Sequence, residues 1–351
     1  MSLLRTPPLL DRSFISLPGL AATLVLVLVL AGCGGGSTES VSVDGSSTVF
    51  PLTEAVAEEF MEDTQGVRVN VGVSGTGGGF SKFLRGETAI NDASRPISPG
   101  EIEKAESNGI EYLELPVAYD GLAVMVHPTN DWANCLTAEE LQELWRPNSP
   151  IDRWNQLRDE FPDRPIELYG PGTASGTYDY FTEAIMGESG ASRSDYTASE
   201  DDNVLAQGIK GSELALGYFG LAYYENNAKE LKALAIDPDE RDSGASCVTP
   251  SAETVQNGSY RPLSRPLFIY VNVDEITPTV EKFVEFYLNN ADELASEVGY
   301  VAMPDDAYEL ALERFRTRTT GTVFGAEGVD ATGTRVEEML RAAMTDTTAQ
   351  E

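Results

Sequence analysis

Apolar positions recur along the chain in two alternating periods. Val41 and Val43 alternate with polar neighbours, as a strand does, and Leu52, Ala55, Val56 and Phe60 then fall on one helical face, with Pro51 tolerated in its first turn. Val67, Val69, Val71 and Val73 predict a second strand, which runs into Ser-Gly-Thr-Gly-Gly-Gly at 74–79 and a helix-like segment at 80–84. Residues 89–97 read as a short strand ending in Ser94-Arg95-Pro96, where Pro96 keeps Arg95 out of helical geometry at the strand end. A helix at 99–107 and strands near 112–118 and 122–126 follow, then a helix at 137–145. Ile166, Leu168 and Tyr169 supply a strand before the turn that opens 170–186, residues 199–203 cap a helix through Ile209, and 214–221 is strand-like. Leu267, Ile269 and Val271 alternate again, before helices at 277–288, 292–297 and 305–315. This succession predicts an α/β fold with an open, largely parallel sheet and ligands at the carboxyl ends of its strands.

The amino-terminal end departs from that pattern. Arg5 and Arg12 precede an apolar run at 17–30 that closes in Leu30-Ala31-Gly32-Cys33. Residues 1–32 are expected to be a secretory signal peptide, too short an apolar run for a membrane span, and Leu-Ala-Gly-Cys resembles the bacterial lipobox, which makes Cys33 the expected lipidated residue and 33–40 a flexible tether. About 318 residues remain, which suits two lobes. The expected division is a discontinuous first lobe of 41–120 plus 265–330, a second lobe of 121–264 entered near Tyr119-Asp120-Gly121, and a mobile tail at 331–351 with a helix from Val336 to Met344. In an exported chain the remaining pair, Cys135 and Cys247, is expected to form a disulfide.

Charge narrows the partners. The formal net charge is −33, which makes nucleic acid a poor partner and suits a well-solvated surface. An acidic chain that binds an anion must do so through local donors, which screening over ~8–10 Å permits. Three turns offer such donors by one logic, in which a strand passes through glycines and hydroxyls into a helix N-terminus: Ser47-Thr48, 74–79, and Ser175-Gly176-Thr177. Unpaired N–H groups and the positive end of the helix dipole suit an oxyanion at each. The glycine spacing matches no dinucleotide fingerprint, and the run 172–177 has no lysine for a nucleotide phosphate. The lone histidine, His127, lies in an apolar run beside Pro128, and no cysteine–histidine cluster offers a metal site. Neither a catalytic triad nor a cofactor is therefore expected.

Gly-Ser-Ser-Thr-Val-Phe-Pro at 45–51, Ala-Ser-Arg-Pro-Ile at 93–97 and Ser-Gly-Thr-Tyr-Asp-Tyr-Phe at 175–181 resemble the phosphate-binding lipoproteins of bacterial phosphate ABC transporters, the PstS family, over about 41–315. The resemblance implies a type II periplasmic-binding-protein fold, two α/β lobes closing on dehydrated inorganic phosphate, and delivery to membrane permease subunits by a monomeric, lipid-anchored protein with no enzymatic activity. The ligand-binding residues it implies are Ser47, Thr48 and Val49, then Ser74 or Thr76, then Ser175, Gly176 and Thr177. Many members of that family carry an aspartate where this chain has Arg95, and an arginine where it has Pro171, so Arg95 is expected to be the strong cation of the site and the partner of 175–177 across the cleft. The carboxylate that would accept a proton from phosphate is left to Asp92, Asp179 or Asp202. The other functions compatible with this pattern are binding of sulfate, arsenate or molybdate, a phosphate-sensing surface lipoprotein, and, further off, phosphate-ester hydrolysis at Ser175.

Overall fold

The structure is a computed structural model, and it describes residues 39–173, 175–237, 247–325 and 335–348. The expected signal peptide and Cys33 lie outside the described residues. The first stretch alternates as the periodicity predicts: β1 (Glu39–Gly45), α1 (Phe50–Asp63), β2 (Val67–Val73), α2 (Thr76–Phe83), β3 (Ile90–Ala93) and α3 (Pro99–Asn108). Val41 and Val43 are buried on β1, and Leu52, Val56 and Phe60 form the buried face of α1, which packs against β2 and the later helix Pro278–Glu297. β1 pairs in parallel with β2 and with β3.

β4 (Tyr112–Val126) is a single strand of 15 residues, buried from end to end, where two shorter strands were expected. It leads into β5 (Cys135–Thr137), α4 (Ala138–Trp145), β6 (Glu167–Gly170), α5 (Gly176–Met186), β7 (Thr197–Ala198), α6 (Asp202–Gly211), β8 (Ala215–Gly220), α7 (Leu221–Asn227), β9 (Lys232–Ala233), β10 (Ala235–Asp237) and α8 (Ala252–Gln256). The chain returns through β11 (Ser264–Asn272) to α9 (Pro278–Glu297), α10 (Asp305–Arg316) and α11 (Val336–Thr348). Cys135 and Cys247 form the expected disulfide, with Cα atoms 6.1 Å apart.

The strand order is β2-β1-β3-β11-β4-β8-β6-β7, with β9 also on β4 and a separate pair β10-β5. The sheet is mixed rather than largely parallel, because β11 runs antiparallel to both β3 and β4, and β4 antiparallel to β8. The reason is directional: β4 carries the chain out of the first group of strands and β11 carries it back, so these neighbours must oppose each other. β4 changes partner at one point. Its residues up to Gly121 pair with β11, and from Leu122 onward they pair with β8. In that register Asp120 lies directly opposite Arg265 and Gly121 opposite Ser264.

One further expectation fails for a local reason. The break expected between residues 288 and 292 is absent from α9, because Asn289 and Asn290 donate their side-chain amides to the carbonyls of Glu285 and Phe286 one turn back, while Ala291 and Leu294 continue the buried stripe. The tail carries α11 where a helix is expected from Val336 to Met344, and Val336 and Leu340 are buried at helical spacing. The segment before it is tied down as well: Thr322 Oγ1 and the N–H groups of Val323 and Phe324 donate to the buried carboxylate of Glu114 at 2.6, 2.6 and 2.9 Å.

Candidate functional site

The turn between β1 and α1 holds the first group of donors. Ser46 N–H donates to Asp92 O at 3.0 Å, Phe50 N–H closes a helical turn onto Ser46 O, and Val49 caps α1. Thr48 N–H is taken by Ser46 Oγ at 3.2 Å. The N–H groups of Ser47 and Val49 donate to no acceptor among the described residues. Thr48 is buried, and its carbonyl accepts from the Tyr300 hydroxyl. These are the unpaired donors that a helix N-terminus presents to an anion.

The third motif docks on the first. Ser175 caps α5, its Oγ accepting from Thr177 N–H at 3.2 Å, and Gly176 N–H has no acceptor among the described residues. A Cβ at Gly176 would lie 2.7 Å from Thr48 Oγ1 and 3.0 Å from Thr48 Cα. Only glycine permits so close an approach, so two helix N-termini from distant parts of the chain meet at Thr48.

Arg265 completes this corner. From the second position of β11 it donates through Nη2 to Thr48 Oγ1 at 3.3 Å, lies 3.5 Å from Asp120 and 3.3 Å from Glu183, and stacks 3.7 Å above the Tyr180 ring. Its side chain is only 10% exposed, and its Nε is buried without a hydrogen-bond partner among the described residues. Burial pushes the Asp120 carboxyl above the ordinary range, against the opposing pull of Arg265.

The second turn lies beside this corner. Thr76 Oγ1 and Ser94 Oγ are 3.1 Å apart, and Ser94 N–H donates to Thr76 Oγ1 at 3.2 Å. Ser74 is turned elsewhere: its hydroxyl donates to Asp44, which also pairs with Lys82 at 2.6 Å. A cavity of about 260 Å³ opens between Ser94, Arg95, Tyr180, Glu183 and Arg265. Both arginines thus line one space, but they are engaged differently. Arg95 grips Glu101 with two hydrogen bonds of 2.8 and 2.9 Å and donates to Pro96 O, so its fork is already occupied by a carboxylate. Although burial opposes it, hydrogen bonds from Arg95 and Ser98 hold the Glu101 carboxyl below its ordinary range.

Of the carboxylates named from sequence, Asp179 accepts from Ser189 at 3.2 Å, on the loop after α5. Asp202 is pushed up to about 6 by burial and then by Asp201. Asp92 is fully buried on β3 with neither carboxylate oxygen partnered among the described residues, and burial, with the nearby charge of Asp44 adding, pushes it up to about 8. Sequence reasoning missed Arg265 and Asp120. A signal existed for Arg265, because Arg265-Pro266 repeats the arginine–proline step that drew attention to Arg95-Pro96. Asp120 announces itself only as a carboxylate inside an apolar run.

Comparison with known proteins follows the same lines. The family model of the PBP superfamily domain matches residues 34–291. Protein SphX of Synechocystis sp. is 48% identical over 316 residues, spanning 89% of this chain and 93% of that protein. The phosphate-binding protein PstS of Staphylococcus saprophyticus is 37% identical over 290 residues, or 80% of this chain and 88% of that one. Among solved structures, a possible phosphate binding protein from Planctomyces limnophilus superposes with a TM-score of 0.75 at 44% identity, covering 80% of this chain and 98% of that one.

Proposed function

Because the chain belongs to the PBP superfamily, in which its relatives include phosphate-binding PstS proteins, we propose that it captures inorganic phosphate outside the cytoplasm and delivers it to the membrane subunits of an ABC transporter. One observation carries this reading: Thr48 from the α1 turn, Gly176 from the α5 turn and Arg265 from β11 converge on one corner, with three backbone N–H groups beside them that have no acceptor among the described residues. Donors arranged in this way favour a small oxyanion. Binding is the role this convergence of donors suits.

Residues 41–120 with 265–330 act in this reading as one lobe and 121–264 as the other, with β4 and β11 as the two crossing strands. Closure draws the α5 turn onto the α1 turn, and the closed form is the signal read by the permease. Cys33 is the lipidated residue, and the glycines after it tether a single, monomeric domain to the membrane surface. The test is calorimetric titration of the mature protein. About one phosphate per chain is expected, and a response to sulfate or molybdate with none to phosphate would remove the phosphate assignment.

A further inference from the structure

We propose that the cleft also takes a phosphoryl group carrying one short, neutral aliphatic substituent, as in an alkylphosphonate or a simple phosphate monoester, with the substituent lodged in the cavity beside the phosphate corner. The proposal rests on the phosphate reading above for the position of the head group and adds a place for what the head group carries. Its first support is continuity. Arg265 is a wall shared by corner and cavity: Nη2 donates to Thr48 Oγ1 in the corner, and Nη1 donates at 3.3 Å to Glu183, which lines the cavity. Ser94 is a second shared edge, because it lines the cavity while its Oγ lies 3.1 Å from Thr76 Oγ1 of the second turn.

Its second support is an unmet donor on that wall. The Arg265 side chain is only 10% exposed, and its Nε has no hydrogen-bond partner among the described residues. A buried guanidinium N–H without an acceptor calls for an anionic oxygen beside it. A phosphoryl group that supplies three oxygens to the corner still has a fourth position on phosphorus. The space next to Arg265 suits a carbon chain at that position, since Pro96, Tyr180, Ala184, Pro262 and Pro266 line it. The Tyr180 hydroxyl is spent on Pro262 O at 2.9 Å, so this residue offers its ring rather than a donor.

Charge and size decide which substituents fit. Arg95 lines the same cavity, but Glu101 holds its fork with bonds of 2.8 and 2.9 Å, so it is already matched. Glu183 adds a carboxylate to the cavity. A second phosphate, or a carboxylate on the substituent, would therefore meet Glu183 with Arg95 engaged elsewhere, and the cavity turns it away. A neutral chain instead displaces water from prolines and an aromatic ring. The volume, about 260 Å³, lies just under the ~300 Å³ at which small-molecule pockets begin, which limits the chain to a few carbons.

The experiment is calorimetric competition against inorganic phosphate on the mature wild type and on Ala184→Leu, with methylphosphonate, propylphosphonate, propyl phosphate and pyrophosphate. Propylphosphonate is expected to displace phosphate from wild type and to bind at least ~4-fold more tightly than methylphosphonate, the gain that burying one or two further methylenes provides. Pyrophosphate is expected to compete at least ~10-fold less well than propylphosphonate. Ala184→Leu fills the cavity without touching the corner, so phosphate affinity should stay within ~3-fold while propylphosphonate weakens at least ~10-fold. Displacement by propyl phosphate as well extends the site to esters, and displacement by only one of the two propyl compounds identifies the linkage it accepts. No displacement by either, or an affinity that ignores both chain length and Ala184→Leu, overturns the proposal. Should the variant fail to fold, the methyl-to-propyl series on wild type serves alone, and flat or falling affinity along it overturns the proposal. Wild type that binds no inorganic phosphate overturns the functional reading and this one with it, whereas tight phosphate binding without displacement removes the substituent alone.

Discussion

Replacing Gly176 by alanine isolates the contact on which the site depends. The added Cβ would stand 2.7 Å from Thr48 Oγ1, which a rotamer change relieves, and 3.0 Å from Thr48 Cα, which is backbone and cannot rotate away. Ordinary contact begins near 3.4 Å, so the first turn of α5 must retreat from the α1 turn by a few tenths of an ångström. An anion held from both sides then loses the alignment of one charge-assisted hydrogen bond, about 1.5–3 kcal/mol, which is roughly a 10- to 100-fold loss in phosphate affinity. Stability should change less, because alanine's better helix propensity, up to ~1 kcal/mol, offsets part of the overpacking cost of about 1–3 kcal/mol. Paired measurements check this: calorimetric titration with phosphate, and a thermal melt without ligand. Unchanged affinity in Gly176→Ala would refute the convergence of the two turns on one anion.

Three other perturbations address separate parts of the molecule. Arg265→Ala should weaken phosphate binding more than Arg95→Ala, because Arg265 already touches Thr48 whereas Arg95 must first release Glu101; titration of both variants decides, and a larger loss for Arg95→Ala reverses the assignment. Asp92 titrates near 8 when folded against 3.8 in a free side chain, so the folded state binds the extra proton between those values and stability falls as pH rises through that window. Asp92→Asn should therefore raise the melting temperature more at pH 8 than at pH 5, and an equal gain at both would show that Asp92 titrates normally. The Cys135–Cys247 disulfide closes a separation of 112 positions, so its reduction should lower unfolding free energy by about 4–5 kcal/mol in the chain-entropy model, and coincident denaturant curves with and without reductant would contradict that.

Where structure is local, it was legible from sequence. The alternation of Val67, Val69, Val71 and Val73 and the helical stripe of Leu52, Val56 and Phe60 specify β2 and α1, and the glycine–hydroxyl turns mark the helix N-termini that meet at Thr48. What escaped was set by pairing between distant segments. Nothing near Asp120 in sequence says that Arg265 lies opposite, because that register exists only once β11 has returned beside β4. The sheet was expected to be largely parallel for the same reason, since the βαβ rhythm describes β1 to β3 and is silent about a strand that comes back from the far end. Arg95 looked like the free cation because Glu101, six positions on, is drawn to it only when α3 folds with its capping box. Composition is equally silent about the threonine-rich segment before α11, where Thr322 to Phe324 cap a carboxylate buried on β4.

A crystal structure of the mature protein grown with phosphate tests the central claim most directly. One phosphate is expected in the corner between the α1 and α5 turns, with oxygens within hydrogen-bond distance of Thr48 Oγ1, Gly176 N and the Arg265 guanidinium. A phosphate held elsewhere, touching none of the three, would contradict it.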